Sequence, residues 1–464
     1  MGMHLSPRVA LLLTLGLIVF LFRRDIRQRP HISGALWLPL VWLLLTCSRP
    51  ISEWLKIFGL PVTGARSLEE GSPLDAWCWL VLITAGFYVL NKRQVRLSEI
   101  VRNNGWLIAF LLYCLISLAW SDFPYVTFKR WIKVLGDPLM VLIVLTELEP
   151  REALARLMKR CAYVVVPVSI LFIKYYIDLG RKYDPWTGTQ MCNGIADGKN
   201  SLGADCLILG FFFFWHLLQT WQGERNHWRR KELRLIWGFL IGICWLLAQA
   251  HSVTSLVSLL MGVTVVVVLG LRFINKGSVG TYMLTALILF VTADLAFGIS
   301  GLVLKALGRD PTFTGRTEIW SQVLAFHTNP IFGTGFESFW LGERLQQMGE
   351  GKVFRIVQAH NGYLEIYLNL GLIGLFIIIG LIIATYWKIR PELFRNFERG
   401  RYQLGLLAAV VLYNWAEAAF KMGHPVWFAF CLIVVNYPLR GVPPVETSSM
   451  VTERDEEMKF AYFP

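Results

Sequence analysis

Three polar segments interrupt the apolar second half of this 464-residue sequence. The first is Gly315-Arg316-Thr317-Glu318-Ile319-Trp320. The second is Asn329-Pro330-Ile331-Phe332-Gly333-Thr334-Gly335-Phe336-Glu337-Ser338-Phe339. The third is His360-Asn361-Gly362-Tyr363-Leu364-Glu365, which runs into Leu370-Gly371-Leu372-Ile373-Gly374. A neutral imidazole takes up a proton near pH 7, so His360 suits a general base. Asn361 can cap the helix that follows, with Glu365 one turn in. Gly333-Thr334-Gly335 could offer backbone N–H groups to an anion, although one GxG without a strand–turn–helix setting does not specify a nucleotide fold. Gly371 and Gly374 suit close helix packing. The competing reading of His360 is a polar residue at a helix mouth, without chemistry.

The elements that must position these groups follow from composition. Apolar residues make up 55% of the chain and charged residues only 17%, against about 25% charged in soluble domains. A single soluble globule is not expected, and disorder is excluded, because 30 Phe and 19 Trp do not solvate a chain. Long apolar runs point to an all-α polytopic membrane protein. The net charge of +13 is then read as Lys and Arg holding loops in the cytoplasm, with no nucleic-acid partner. The eight Cys form no CxxC pair and most lie in apolar runs, so neither a disulfide framework nor a zinc site is expected. Only Cys192 sits in a polar loop.

The first apolar run, 9–22, lacks the small-residue cleavage site of a signal peptide and is followed by Arg23, Arg24, Arg27 and Arg29. Further runs at 34–47, 74–91, 105–120, 126–147, 158–177, 201–219, 234–250, 253–271, 279–303, 362–386, 403–420 and 425–437 predict about 12–13 transmembrane helices. Basic residues gather in the loop after the first run, at 92–104, 148–160 and 220–234, at Arg272 and Lys276, and at 388–401. These loops alternate along the chain, which assigns them to the cytoplasm. The N-terminus then falls outside and the C-terminus inside. The longest outer loop, 304–361, carries Trp and Phe at helical spacing and suits short interfacial helices. Four regions result: helices in 1–303, the periplasmic loop 304–361, helices in 362–437, and a polar cytoplasmic tail 438–464 with Pro443 and Pro444. No internal repeat of a pseudo-symmetric transporter is evident.

In this order, the three segments resemble the O-antigen ligase and O-antigen polymerase superfamily of bacterial membrane glycosyltransferases. The family pattern has an Arg before a Trp, a Gly-x-Gly turn followed by an aromatic residue, and a His-Asn motif leading through Leu-Glu into a Gly-rich helix. Ser72-Pro73-Leu74-Asp75 and Lys199-Asn200-Ser201-Leu202-Gly203 also look like its ligase branch. The resemblance implies an inner-membrane enzyme whose active site faces the periplasm. The donor would be a glycan on undecaprenyl diphosphate, and the acceptor a hydroxyl on lipid A–core or on another glycan. The implied reaction inverts the anomeric carbon and needs no metal or other cofactor. No DxD-like carboxylate cluster occurs outside.

A diphosphate leaving group needs cations, and Arg meets phosphate bidentately. The outer candidates are Arg181, Lys182, Lys199 and Arg316. Arg130 and Lys133, three apart at the start of the 126–147 run, share a helix face, where buried cations are costly. Their alternative is snorkelling to headgroups, and that of Lys182 is a solvated loop charge. Ligase-type members often carry an Arg in a Ser-Arg-Thr-like segment opening the 253–271 run, where this chain has His251-Ser252-Val253-Thr254. Arg181, or His251 in part, would replace it. Asn414 and Glu417 stand three apart in the 403–420 run, with Lys421 and His424 beyond. Glu417 either orients His360, binds the acceptor, or packs against Lys421. Asp294 has no cation nearby in sequence.

The expectation is that His360 deprotonates the acceptor while Arg316, Arg181 and Lys199 hold the diphosphate. The rival is a transporter or flippase of an anionic lipid, which would spread polar residues and broken helices through the midplane.

Overall fold

The computed structural model describes residues 5–28, 31–60, 62, 71–183, 188, 190–223, 227–297, 316–349 and 356–437. The loop stretches 298–315 and 350–355, the tail from 438, Arg29, Arg225 and the side chain of Asp294 lie outside that description.

Each of the thirteen apolar runs begins on helix, the run 279–303 being described only to Phe297. The order is α1 (Pro7–Arg27), α2 (Trp37–Thr46), α3 (Ile51–Ile57), α4 (Pro73–Lys92), α5 (Leu97–Asn103), α6 (Gly105–Ile116), α7 (Pro124–Val134), α8 (Gly136–Leu145), α9 (Pro150–Tyr175) and α10 (Ile177–Gly180). A two-stranded hairpin follows, β1 (Arg181–Tyr183) antiparallel to β2 (Gln190–Cys192), with Arg181 opposite Cys192. Then come α11 (Lys199–Gln222), α12 (His227–Ala250), α13 (Val253–Leu269), α14 (Val279–Phe297), α15 (Arg316–Leu324), α16 (Gly342–Gly349), α17 (Gly362–Arg395), α18 (Phe397–Ala416) and α19 (Pro425–Val434). The protein is an all-α polytopic membrane protein. Four described helices, α4, α11, α12 and α17, are long and apolar enough to cross a membrane. Two bent pairs raise the number to as many as six: α2 with α3 (69°) and α5 with α6 (100°). This is fewer than the runs predict, because several runs form helices that are short or charged. α13 has 17 residues and α19 has 10.

The run 126–147 is not one helix. It divides between α7 and α8, where Trp42 packs and donates to Asp137 Oδ1 at 2.8 Å. The predicted basic loop at 148–160 is helical instead, because its cations find buried partners. Arg156 pairs with Asp25 at 2.6 Å and Arg160 with Asp25 at 2.7 Å. Lys159 pairs with Glu232 at 2.5 Å and Arg24 with Glu232 at 2.9 Å. These contacts tie α1, α9 and α12 together. The predicted loop at 388–401 is likewise helical to Arg395, and Lys388 donates to the carbonyls of Ile433, Val434 and Val435 at the end of α19.

The described part of the long loop is ordered against α17. Its own small core contains Val323, Phe339, Met348, Ile356, Ala359 and Leu368. Helix α17 kinks at Gly371, whose φ of 65° and ψ of −163° leave the helical region. An L side chain there would be strained, and a Cβ would lie 2.2 Å from the Ile331 carbonyl oxygen. The kink admits the loop segment 329–335. Leu372 N donates to Pro330 O at 2.9 Å, Thr334 N to Leu368 O at 3.2 Å and Gly335 N to Asn369 O at 2.8 Å. The glycine turn therefore spends its N–H groups on the chain itself: Gly333 N also donates, to Asn329 O at 2.8 Å. The N–H groups that Gly333-Thr334-Gly335 could have offered to an anion are thus taken by the chain itself.

A candidate active site around His360 and Glu417

Helices α17 and α18 pack against each other as consecutive elements, so the residue before α17 and the residue after α18 meet at one end. His360 is near the first end and Glu417 is the second. α18 stops at Ala416, four residues short of the predicted run, and Glu417 is extended (φ −147°, ψ 152°). Asn414 and Glu417 therefore do not share a helical face. Asn414 stays in the helix, and its Oδ1 accepts from Ala419 N at 3.0 Å to turn the chain. Only glycine fits at 362, since a Cβ there would lie 2.2 Å from Asn414 Oδ1.

The Glu417 carboxylate is buried and fully engaged. Its Oε2 lies 3.0 Å from Nδ1 of His360. Its Oε1 accepts from Arg316 Nη2 at 2.5 Å and from Asn200 Nδ2 at 2.7 Å. Arg316 also donates to the carbonyl of Ala416, so one guanidinium covers both the helix C-terminus and the carboxylate. Burial by itself would raise the Glu417 pKa. The His360 bond and the nearby charges of Arg316 and Lys421 outweigh it and hold the carboxyl below its ordinary range.

His360 has a φ of 51°, a left-handed conformation that costs a non-glycine residue about 1–3 kcal/mol. Its neighbours hold it there. Ala359 N donates to Glu365 Oε1 at 2.6 Å, and Ala359 O accepts from Trp320 Nε1 at 2.8 Å. Asn361 Oδ1 accepts from the N–H groups of Tyr363 and Leu364, each at 3.0 Å, and so caps α17 as its residue type predicts. Glu365 Oε2 accepts from Trp340 Nε1 at 2.8 Å. The spacing of Arg316 and Trp320 now has a cause. Four apart on α15, they face one side, where one fixes Glu417 and the other fixes the backbone at His360.

Beyond His360 stands Gln358. Its Nε2 lies 3.2 Å from His360 Nδ1 and 3.5 Å from His360 Nε2, and its Oε1 accepts from Lys421 Nζ at 3.0 Å. Gln358 and Lys421 also line a cavity of about 440 Å³. Its other walls include Lys129, Arg130 and Lys133 of α7, with Glu337, Trp340 and Trp79. Arg130 donates to the Glu337 carbonyl and lies 3.9 Å from its carboxylate. The cavity thus gathers four cationic side chains beside the base candidate. Among the described residues, no three His, Cys, Asp or Glu side chains form a metal site.

The predicted site residues are distributed as follows. His360, Arg316 and Glu417 come together. Arg130 and Lys133 share a face, as their spacing requires, and line the adjoining cavity. Asn361 caps. Lys199 opens α11, but it is the next residue, Asn200, that reaches Glu417. Arg181 is engaged on the hairpin, donating to Ile173 O at 3.0 Å and Gln190 Oε1 at 3.1 Å. His251 is exposed at the turn between α12 and α13. Sequence reading misses Lys129, Asn200 and Gln358. Asn200 lies inside a quoted family motif, whereas Gln358 carries no local signal.

Comparison with known proteins agrees with the motifs. A family model described as O-antigen ligase matches residues 201–379. Over 301 residues the chain is 28% identical to the exopolysaccharide production protein ExoQ of Rhizobium meliloti (strain 1021). The match covers 61% of this chain and 64% of that protein, so less than two thirds of the relative's length is represented. Both matches are to proteins of the O-antigen ligase and exopolysaccharide-production kind, which is what the chain resembles.

Proposed function

We propose that this protein is a membrane glycosyltransferase that moves a glycan from an undecaprenyl diphosphate carrier to an acceptor hydroxyl on a growing polysaccharide or on lipid A–core. The observation that carries the reading is the His360–Glu417 contact of 3.0 Å beside a cavity lined by Lys129, Arg130, Lys133 and Lys421. Glu417, held ionised by its bond to His360 and the nearby charges of Arg316 and Lys421, accepts the Nδ1–H of His360 and sets its tautomer. The other ring nitrogen then has a lone pair for the proton of the acceptor hydroxyl. The acceptor oxygen attacks the anomeric carbon as the bond to the diphosphate oxygen breaks, with inversion. The leaving diphosphate keeps the electron pair, and the cavity cations meet its charge.

In this assignment Arg316 positions Glu417, and the phosphate contacts fall to Arg130 and Lys133 with Lys129 and Lys421. Lys199 and Arg181 serve farther along the substrate. The site faces the periplasm of the inner membrane, in keeping with the alternation of basic loops. The printed name of the ExoQ relative favours a polysaccharide acceptor over lipid A–core.

The test is a deletion strain complemented with wild type or His360→Ala, with surface glycans resolved by gel. A polymerase leaves single repeat units when deleted, and a ligase leaves full-length polymer on its carrier lipid. In either case His360→Ala matches the deletion. Unchanged glycans in every strain would overturn the reading and favour transport of an anionic lipid.

A further inference from the structure

A glycosyl diphosphate must place its anomeric carbon between the cations that hold the leaving group and the base that activates the acceptor. One loop segment, 337–340, runs from the one to the other. At its start, Arg130 of α7 donates to the Glu337 carbonyl. At its end, Trp340 Nε1 donates to Glu365 Oε2 at 2.8 Å, and Glu365 Oε1 accepts at 2.6 Å from the N–H of Ala359, the residue before His360. Glu337 and Trp340 both line the cavity.

Four described carboxyl or amide side chains line that cavity: Glu337, Gln358, Glu365 and Asn369. Three are committed to the protein. Glu365 holds Trp340 and Ala359. Asn369 accepts from Phe339 N at 3.1 Å and donates to Glu365 O at 2.8 Å. Gln358 accepts from Lys421 at 3.0 Å. The Glu337 carboxylate differs: it meets Arg130 at 3.9 Å, beyond hydrogen-bond length, and its side chain keeps 26% of its surface exposed. Glu337 also has a φ of 52°, and His360 is another of the four described non-glycine residues with positive φ. Such a conformation persists only where the surroundings impose it. Here Phe336 N donates to Ser117 Oγ at 2.9 Å, and Thr127 Oγ1 donates to Phe336 O at 3.1 Å. Together with Arg130 they pin the backbone on both sides of the strained residue.

We propose that Glu337 and Trp340 form the subsite for the sugar that bears the scissile bond, and that Glu337 selects an uncharged sugar there. The proposal rests on the reading of the cavity as the donor site. An ionised carboxylate only accepts, so it recognises hydroxyl or amide N–H donors. Such charge-assisted bonds are roughly twice as strong as neutral ones. The same charge repels the carboxylate of a uronic acid. The N–H of Trp340 is spent on Glu365, which leaves its ring to pack against the C–H face of a pyranose. Because Glu365 holds both the indole and Ala359, a sugar on Trp340 is in register with His360. The cavity, at about 440 Å³, lies within the range of small-ligand sites.

The test reads binding without turnover. Full-length protein in nanodiscs is titrated by calorimetry with four diesters of geranylgeranyl diphosphate: methyl, glucosyl, N-acetylglucosaminyl and glucuronosyl. In wild type, the better of the two neutral sugars should bind about tenfold tighter than the methyl ester, the effect of one charged hydrogen bond. The glucuronosyl ester should bind no tighter than the methyl ester. Glu337→Gln keeps the size of the side chain and removes its charge. Its affinity for the methyl ester should hold or rise, the advantage of the neutral sugar should shrink to about twofold, and the glucuronosyl ester should draw level with it. Glu337→Asn, a residue type at home at positive φ, repeats the measurement if that variant does not fold. Trp340→Leu should lose the sugar advantage and keep the methyl ester. A sugar advantage unchanged in Glu337→Gln, or wild type that binds all four esters equally, contradicts the proposal. Failure of the donor-site reading is a different result, which takes the proposal with it: no binding of the methyl ester by wild type.

Discussion

The Glu417 carboxylate lies 3.0 Å from Nδ1 of His360, and the two residues flank the adjacent ends of the packed pair α17 and α18. Whatever changes the packing of these helices therefore changes the distance between the proposed base and the group that orients it. The same carboxylate carries Arg316 and Asn200, so four elements of the chain converge on one buried charge.

Glu417→Gln keeps the size of the side chain and removes its charge. Nδ1 of His360 then loses its anionic acceptor, and Arg316 loses its counter-charge. Transfer should fall by roughly 10²–10⁴, the range of a general base. Affinity for the lipid diphosphate should change little, since the cavity cations are untouched. Steady-state kinetics separate the two.

The same pair makes a prediction about acid. The Glu417 carboxyl is held below its ordinary range when folded, and an unfolded Glu titrates near about 4.3. Its ion pairs therefore contribute stability above that pH, and the contribution is lost as pH falls through the lowered folded value. Thermal unfolding of wild type and Glu417→Gln should converge as the solution is acidified. A gap that widens on acidification would contradict the assignment.

Arg316→Lys keeps a positive charge but cannot span both Glu417 and the Ala416 carbonyl. Activity should fall at least about tenfold, equivalent to the loss of one charged hydrogen bond. Transfer assays on folded protein check this.

Arg130→Ala and Lys133→Met should weaken donor binding rather than the chemical step. Loss of a charged hydrogen bond costs about 1.5–3 kcal/mol, so KM for the lipid-linked donor should rise more than kcat falls. An unchanged KM in both would remove the cavity from the donor site.

Much of the fold is legible in the sequence, because helices in a membrane advertise themselves as apolar runs. What composition cannot read is where a run breaks. The division at Leu135 depends on Trp42 packing across it, and the kink at Gly371 depends on residues 329–335 docking from the loop. The basic stretch at 148–160 reads as solvated, because its partners Asp25 and Glu232 lie far away in sequence. Breaking that network should be costly: Asp25→Ala would leave two buried guanidinium groups short of a partner, and about 3–5 kcal/mol of stability should be lost.

The site is legible to a similar degree. Sequence leaves the role of Glu417 open among three alternatives, and the geometry brings it to His360. Asn361 reads correctly as a cap because capping is local. Asn200, Gln358 and the link from Trp320 to Ala359 are tertiary contacts between polar side chains with no periodic signal. The glycine turn stays open in the sequence for the same reason: whether its N–H groups face an anion or α17 depends on a kink that the sequence does not announce.

The most direct measurement is glycan transfer in vitro, with purified protein in nanodiscs, a lipid diphosphate-linked oligosaccharide as donor and the matching polysaccharide as acceptor. Wild type should lengthen or ligate the glycan, while His360→Ala, with unchanged thermal unfolding, should lose roughly 10²–10⁴ in rate. Transfer by His360→Ala at the wild-type rate would contradict the account at its centre.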